Sequence, residues 1–133
     1  MKKNAMILLT SAFAFMLMAF VSKKVNDPWP VPDKYNKMAN PVTSDAASVA
    51  NGKALYVQHC QSCHGKKGKG DGPKADQLDT ESGDFTIAAF QKQTDGALFY
   101  KTFEGRKDMP SYKKKISDAN DIWAIVNYMR TLK

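Results

Sequence analysis

The stretch Tyr56-Val57-Gln58-His59-Cys60-Gln61-Ser62-Cys63-His64-Gly65 decides how this chain is read. Two thiols three positions apart, with an imidazole directly after the second, match the attachment signature for c-type haem. The spacing has a chemical reason. Sulfurs so placed can bond to the two vinyl-derived carbons on one side of a porphyrin, and the adjacent imidazole is then held over the iron. Other chemistries suit these residues less well. A structural zinc site wants four protein ligands, yet Cys60 and Cys63 are the only cysteines and His59 and His64 the only histidines. A thioredoxin-like pair wants its two cysteines at a helix N-terminus, where the dipole lowers a thiol pKa. Here the pair closes a predicted helix, and no βαβ pattern precedes it. A plain disulfide between residues three apart is the bland alternative.

With His64 as the proximal iron ligand, a second axial ligand can be sought by elimination among seven methionines. Met1, Met6, Met16 and Met18 fall in an apolar N-terminal run, and Met38 falls in a proline-rich stretch. Met129 lies on the apolar stripe of a predicted helix, where packing is the better use. Met109 remains, in the loop Gly105-Arg106-Lys107-Asp108-Met109-Pro110, where the proline stiffens the chain around a thioether that must stay in place. Gap filling is its alternative role. His59 is too close in sequence to His64 to reach the opposite face. A metal-bound imidazole usually donates its free N–H to a carbonyl, and the Pro73 carbonyl in Gly70-Asp71-Gly72-Pro73 is the candidate acceptor; an ordinary turn proline is the alternative.

The chain has 133 residues and a net charge of +7, with 25% charged and 43% hydrophobic residues, which suits one globular domain. Residues 1–22 carry Lys2 and Lys3 before an apolar run from Ala5 to Val21. This pattern is expected of a signal peptide or, because no small-x-small site ends it cleanly, of an uncleaved N-terminal membrane anchor. Either places the rest outside the cytoplasm, in the periplasm or on the outer face of the membrane. Residues 23–43 hold four of the six prolines. They are expected to form a tether that either extends, reaching on the order of 60 Å at about 3.1 Å per residue, or wraps over the domain with Trp29 tucked in.

Residues 44–133 form the folded part, too short to bury a comfortable core unaided. The pattern predicts three main helices and no sheet. Ser44 is expected to cap a helix through Cys60, Thr94 one over Asp95 to Glu104 with Gly105 as stop, and Ser117 a last helix carrying Ile122, Ile125, Val126 and Met129. Arg130 then suits the negative end of the last helix dipole. The segment GKKGKGDGP must be loop. The expected class is all-α, wrapped around one covalent haem c that serves as the missing core.

These features together resemble the class I monohaem c-type cytochromes, and the resemblance spans roughly Ala47 to Leu132. It rests on Gly52 and Tyr56, on Cys60 to His64, on Gly72-Pro73, on Met109-Pro110 and on Tyr128. It implies that the first and last helices cross where Gly52 lets the backbones approach, with Tyr56 and Tyr128 locking the crossing. It further implies a bacterial respiratory electron carrier or cytochrome subunit.

A haem iron held by both His64 and Met109 has no open position, so the expected activity is outer-sphere electron transfer and not enzymatic turnover. Thioether ligation also raises the potential relative to a bis-His centre. A five-coordinate haem that binds a small gas or reacts with peroxide is the alternative. From Ser44 onward there are 14 basic against 11 acidic residues, so most of the excess charge belongs to the N-terminal segments. Lys66, Lys67 and Lys69 beside His64, and Arg106, Lys107 and Lys113 to Lys115 around Met109, could steer a redox partner with an acidic docking surface. An ordinary solvated surface is the other reading. No basic helix or aromatic platform points to nucleic acid.

Overall fold

Asp45, one residue after the expected cap, starts the first long helix. The computed structural model describes residues 28–133, so the segment expected to be a signal or anchor, residues 1–22, lies outside the described residues. After a single-turn helix α1 (Asp33–Asn36), helix α2 spans Ala46–His59. The Asp45 carboxylate accepts from the Ser48 amide at 2.8 Å, and Ser48 Oγ accepts from the Asp45 amide at 3.2 Å. This reciprocal cap satisfies two orphan donors and fixes the start. Helix α2 runs directly into the one-turn α3 (Gln61–His64), which Gly65 ends with φ 79°.

A 3-10 turn (Ala75–Gln77) and the short α4 (Ala88–Gln91) follow. Helix α5 (Asp95–Glu104) opens where Thr94 Oγ1 accepts from the Ala97 amide and stops at Gly105, φ 69°. Helix α6 (Ala119–Met129) is capped by Asp118, not Ser117, because the Asp118 carboxylate accepts from the Asn120 amide at 2.8 Å. Among the described residues there is no strand. A lone antiparallel bridge joins Arg106 to Met109. The fold is all-α.

Helix α6 is buried from Ile122 through Met129 without a polar face, because α2 packs on one side of it and α5 on the other. Ile122, Ile125 and Val126 are fully buried, each contributing roughly 1.5–3 kcal/mol of apolar transfer energy. At the α2–α6 crossing, a Cβ on Gly52 would stand 2.5 Å from the Ala124 carbonyl carbon and closer still to its oxygen. The missing side chain is therefore what lets the two backbones touch. The Tyr56 and Tyr128 rings meet at 5.1 Å beside that crossing.

Residues 28–43 lie along the helices as a strap. Its backbone rests on α5 at Gly96, where a Cβ would overlap the Tyr35 carbonyl oxygen and stand 2.9 Å from that of Met38. Tyr35 packs on Tyr100 at 4.6 Å. Farther along, the buried Asn127 of α6 pins the strap: its amide donates to the Val42 and Thr43 carbonyls at 3.1 and 3.3 Å, and its oxygen accepts from Asn40 at 2.8 Å. Such pairing is what a buried amide requires.

Candidate haem-binding site

The attachment turn forms because α2 ends at Cys60 and the chain makes one further helical turn. The His64 and Cys63 amides both donate to the Cys60 carbonyl, at 3.0 and 3.1 Å. Tyr56 fixes the far side of the turn by donating its hydroxyl to the Gly65 carbonyl at 2.7 Å. The Gly-rich loop then folds back beneath it. The Gly72 amide donates to the Cys63 carbonyl at 3.1 Å and the Lys74 amide to the Ser62 carbonyl at 2.9 Å. A Cβ on Gly72 would stand 2.5 Å from the Ser62 carbonyl oxygen, so glycine is required for this approach.

These elements face a cavity of about 320 Å³ whose exposed lining is mostly apolar. Cys60, Cys63, His64 and Met109 all line it, and the structure thus gathers in one place residues nearly 50 positions apart in the chain. Phe85, Phe90, Leu98 and Tyr112 furnish apolar wall. Phe85 packs on the His64 ring at 4.5 Å and on Phe90 at 4.3 Å. Leu98 is an apolar position of the helix expected over Asp95 to Glu104, whereas Phe85, Phe90 and Tyr112 were not singled out from the sequence. The four come from three separate segments, and no local periodicity connects them. Met129, assigned to packing, is buried in the core and also reaches the cavity. Pro73 is exposed and does not line it.

The chemistry of the lining residues fits a covalent haem. Burial, reinforced by the neighbouring Cys63, pushes the Cys60 thiol up to about 12, the opposite of an activated redox thiol. Burial drives the His64 imidazole down to about 4, opposed in part by the Ser82 main chain. It is thus neutral, the form that ligates metal. His64 Nδ1 is buried without a hydrogen-bond partner, as is Ser82 Oγ, and both residues line this mostly apolar cavity. Among the described residues no cluster of three or more His, Cys, Asp or Glu could hold a bare metal ion.

The Met109 loop is tightly built. The Arg106 amide donates to the Met109 carbonyl at 2.8 Å and the Met109 amide to that of Arg106 at 3.0 Å. Lys107 between them takes φ 53°, uncommon for a residue with a side chain. On one flank Asp108 accepts from both the Thr80 amide and hydroxyl at 2.9 Å, and these bonds hold its carboxyl below the usual range. Several of the cations around the loop have local partners: Lys113 pairs with Glu104 at 3.5 Å, and Lys115 lies over the Tyr112 ring. Lys66, Lys67 and Lys69 are exposed.

The model of the family described as Cytochrome c matches residues 49–133. The chain belongs to the cytochrome c family. A KustC0563 c-type cytochrome is 30% identical, with a TM-score of 0.54 over 62% of this chain and 96% of its own. A chain of the Kuenenia stuttgartiensis reducing HAO-like protein complex Kustc0457/Kustc0458 is 25% identical, with a TM-score of 0.64 over 82% of this chain. This cytochrome spans about half the length of that chain, 52%. No curated protein matches it. Membership makes the cofactor of this cytochrome a covalently bound haem c and its chemistry haem-based electron transfer. Two cysteines suffice for one such group.

Proposed function

We propose that this cytochrome is a one-electron carrier whose single haem is ligated by His64 and Met109, with Cys60 and Cys63 as the thioether anchors. The observation that carries the reading is the convergence of these four side chains on one apolar cavity. When bound, the haem supplies the reversible one-electron couple. The chain's own residues do the rest. Cys60 and Cys63 fix the group's orientation, and the neutral His64 offers a lone pair. Phe85, Phe90 and Leu98 exclude water from the cavity, and low polarity together with thioether ligation favours the reduced state. Pro73 is proposed to orient His64 by accepting from its free ring N–H.

With two protein ligands the iron has no position for substrate, so the protein transfers electrons without catalysing a reaction of its own. It is proposed to work outside the cytoplasm in a respiratory chain, delivered there by residues 1–22 as signal or anchor. Among the described residues no helix is long and apolar enough to cross a membrane. The likeness to a chain from a protein complex favours a partner of larger assembly, and the exposed Lys66, Lys67 and Lys69 favour an acidic docking face on it.

The test is optical. The ferric protein should show the far-red charge-transfer band of methionine-bound iron, and Met109→Ala should abolish it and lower the reduction potential. A wild-type protein that lacks the band would overturn the ligand assignment and favour the five-coordinate reading.

A further inference from the structure

The Met109 loop has a second tie, opposite the Asp108–Thr80 bond, and it comes from the strap. The Arg106 guanidinium donates to the Pro28 carbonyl at 2.6 Å, and its central carbon lies 4.7 Å from the centre of the Trp29 ring. Lys101 Nζ approaches the same ring at 5.6 Å. Burial and the nearby Arg106 charge both lower the Lys101 pKa, as expected of two cations brought together over one π face. Pro28, Trp29, Lys101, Arg106 and Met109 all line the haem cavity. Arg106 is also the residue whose backbone exchanges two hydrogen bonds with Met109. A force on the Arg106 side chain is therefore passed to the thioether through one short, hydrogen-bonded turn.

We infer that Trp29 is a positioning residue for the axial methionine: by clamping Arg106 it holds the Met109 loop against the haem and keeps outside ligands from displacing the thioether. The inference rests on the His64/Met109 reading given above. In this role Trp29 acts through Arg106. The strap's other attachments, at Gly96 and Asn127, hold it in place but lie on α5 and α6 and do not join the loop.

The experiment uses the full-length ferric holoprotein and imidazole as the competing ligand, following loss of the far-red band. A cation–π contact of this kind predicts that Trp29→Ala and Arg106→Gln each bind imidazole about three- to thirtyfold more tightly than wild type. Because Arg106→Gln already removes the contact that Trp29→Ala removes, along with the bond to Pro28, the double variant should gain little beyond Arg106→Gln alone. Trp29→Phe, which keeps a π face, should restore most of the wild-type resistance. Tyr35→Ala, which loosens the strap at Tyr100 without touching the loop, should leave imidazole affinity unchanged.

If the band is present throughout and Trp29→Ala binds imidazole as weakly as wild type, the clamp is refuted while the ligand assignment stands. If Tyr35→Ala shifts affinity as much as Trp29→Ala does, the effect is general loosening and the clamp is equally refuted. If wild type shows no band, the ligand assignment fails and takes the clamp with it.

Discussion

Replacing Gly52 by alanine should unfasten the two helices on which the rest of the cytochrome is built. The added Cβ would sit 2.5 Å from the Ala124 carbonyl carbon and 3.0 Å from the Ile125 nitrogen. Carbon atoms rest at about 3.5–4.0 Å, so α2 and α6 must part by roughly 1 Å, and a gap of that size forfeits about half of each dispersion contact across it. Overpacking costs about 1–3 kcal/mol, and the upper end applies because the obstacle is main chain that cannot change rotamer. Alanine returns about 1 kcal/mol in helix propensity. The net loss is about 2 kcal/mol, or roughly 10 °C in the midpoint of a domain this size. Thermal unfolding of the ferric holoprotein, followed by far-ultraviolet circular dichroism, measures it. Adding Ala124→Gly should not rescue the variant, because the clash is with the carbonyl and not with the methyl. An unchanged or higher midpoint for Gly52→Ala, or rescue by Ala124→Gly, would refute the reasoning.

Three further outcomes are expected. Tyr56→Phe removes the hydroxyl donor to the buried Gly65 carbonyl, which keeps the Gly68 amide at 3.3 Å, and should cost about 0.5–1.5 kcal/mol in denaturant titrations. Asn127→Leu removes the amide donor to the Val42 carbonyl, while the Thr43 carbonyl keeps Ser48 Oγ and the Asn40 amide keeps the Trp123 carbonyl; it should cost about 1–3 kcal/mol and expose the strap to limited proteolysis before the helices are cut. Cys60→Ala with Cys63→Ala should yield protein whose haem is extracted by acidified organic solvent, whereas the wild-type haem stays with the polypeptide.

Much of the helical frame was legible from local signals. Thr94 and Gly105 bracket α5 because both act on their own neighbours, through a hydroxyl cap and a left-handed backbone. The starts of α2 and α6 fell one residue beyond the expected serines. In each case an aspartate carboxylate reaches the free amides of the first turn, and for α2 it does so in partnership with Ser48. The attachment turn was legible because covalent chemistry constrains three residues within five positions. Phe85 was not, since its place against His64 depends on the Gly68 carbonyl, which accepts from the Phe85 amide at 2.6 Å across seventeen residues. Arg130 was expected to serve the α6 dipole. It stands at that helix end, and its guanidinium also bonds Asp95 and the Gln91 and Gln93 carbonyls, joining α6 to the start of α5. Long-range partners of this kind leave no periodic trace.

The strap changes the arithmetic of reach. With the chain secured to Arg106 from Pro28 onward, only residues 23–27 separate the expected anchor from the fold. At about 3.3–3.6 Å each when fully extended, they span no more than about 18 Å. If residues 1–22 stay in the bilayer, the domain is held within about 18 Å of it. It could pivot but not travel, and a redox partner would have to present its docking face at the membrane surface.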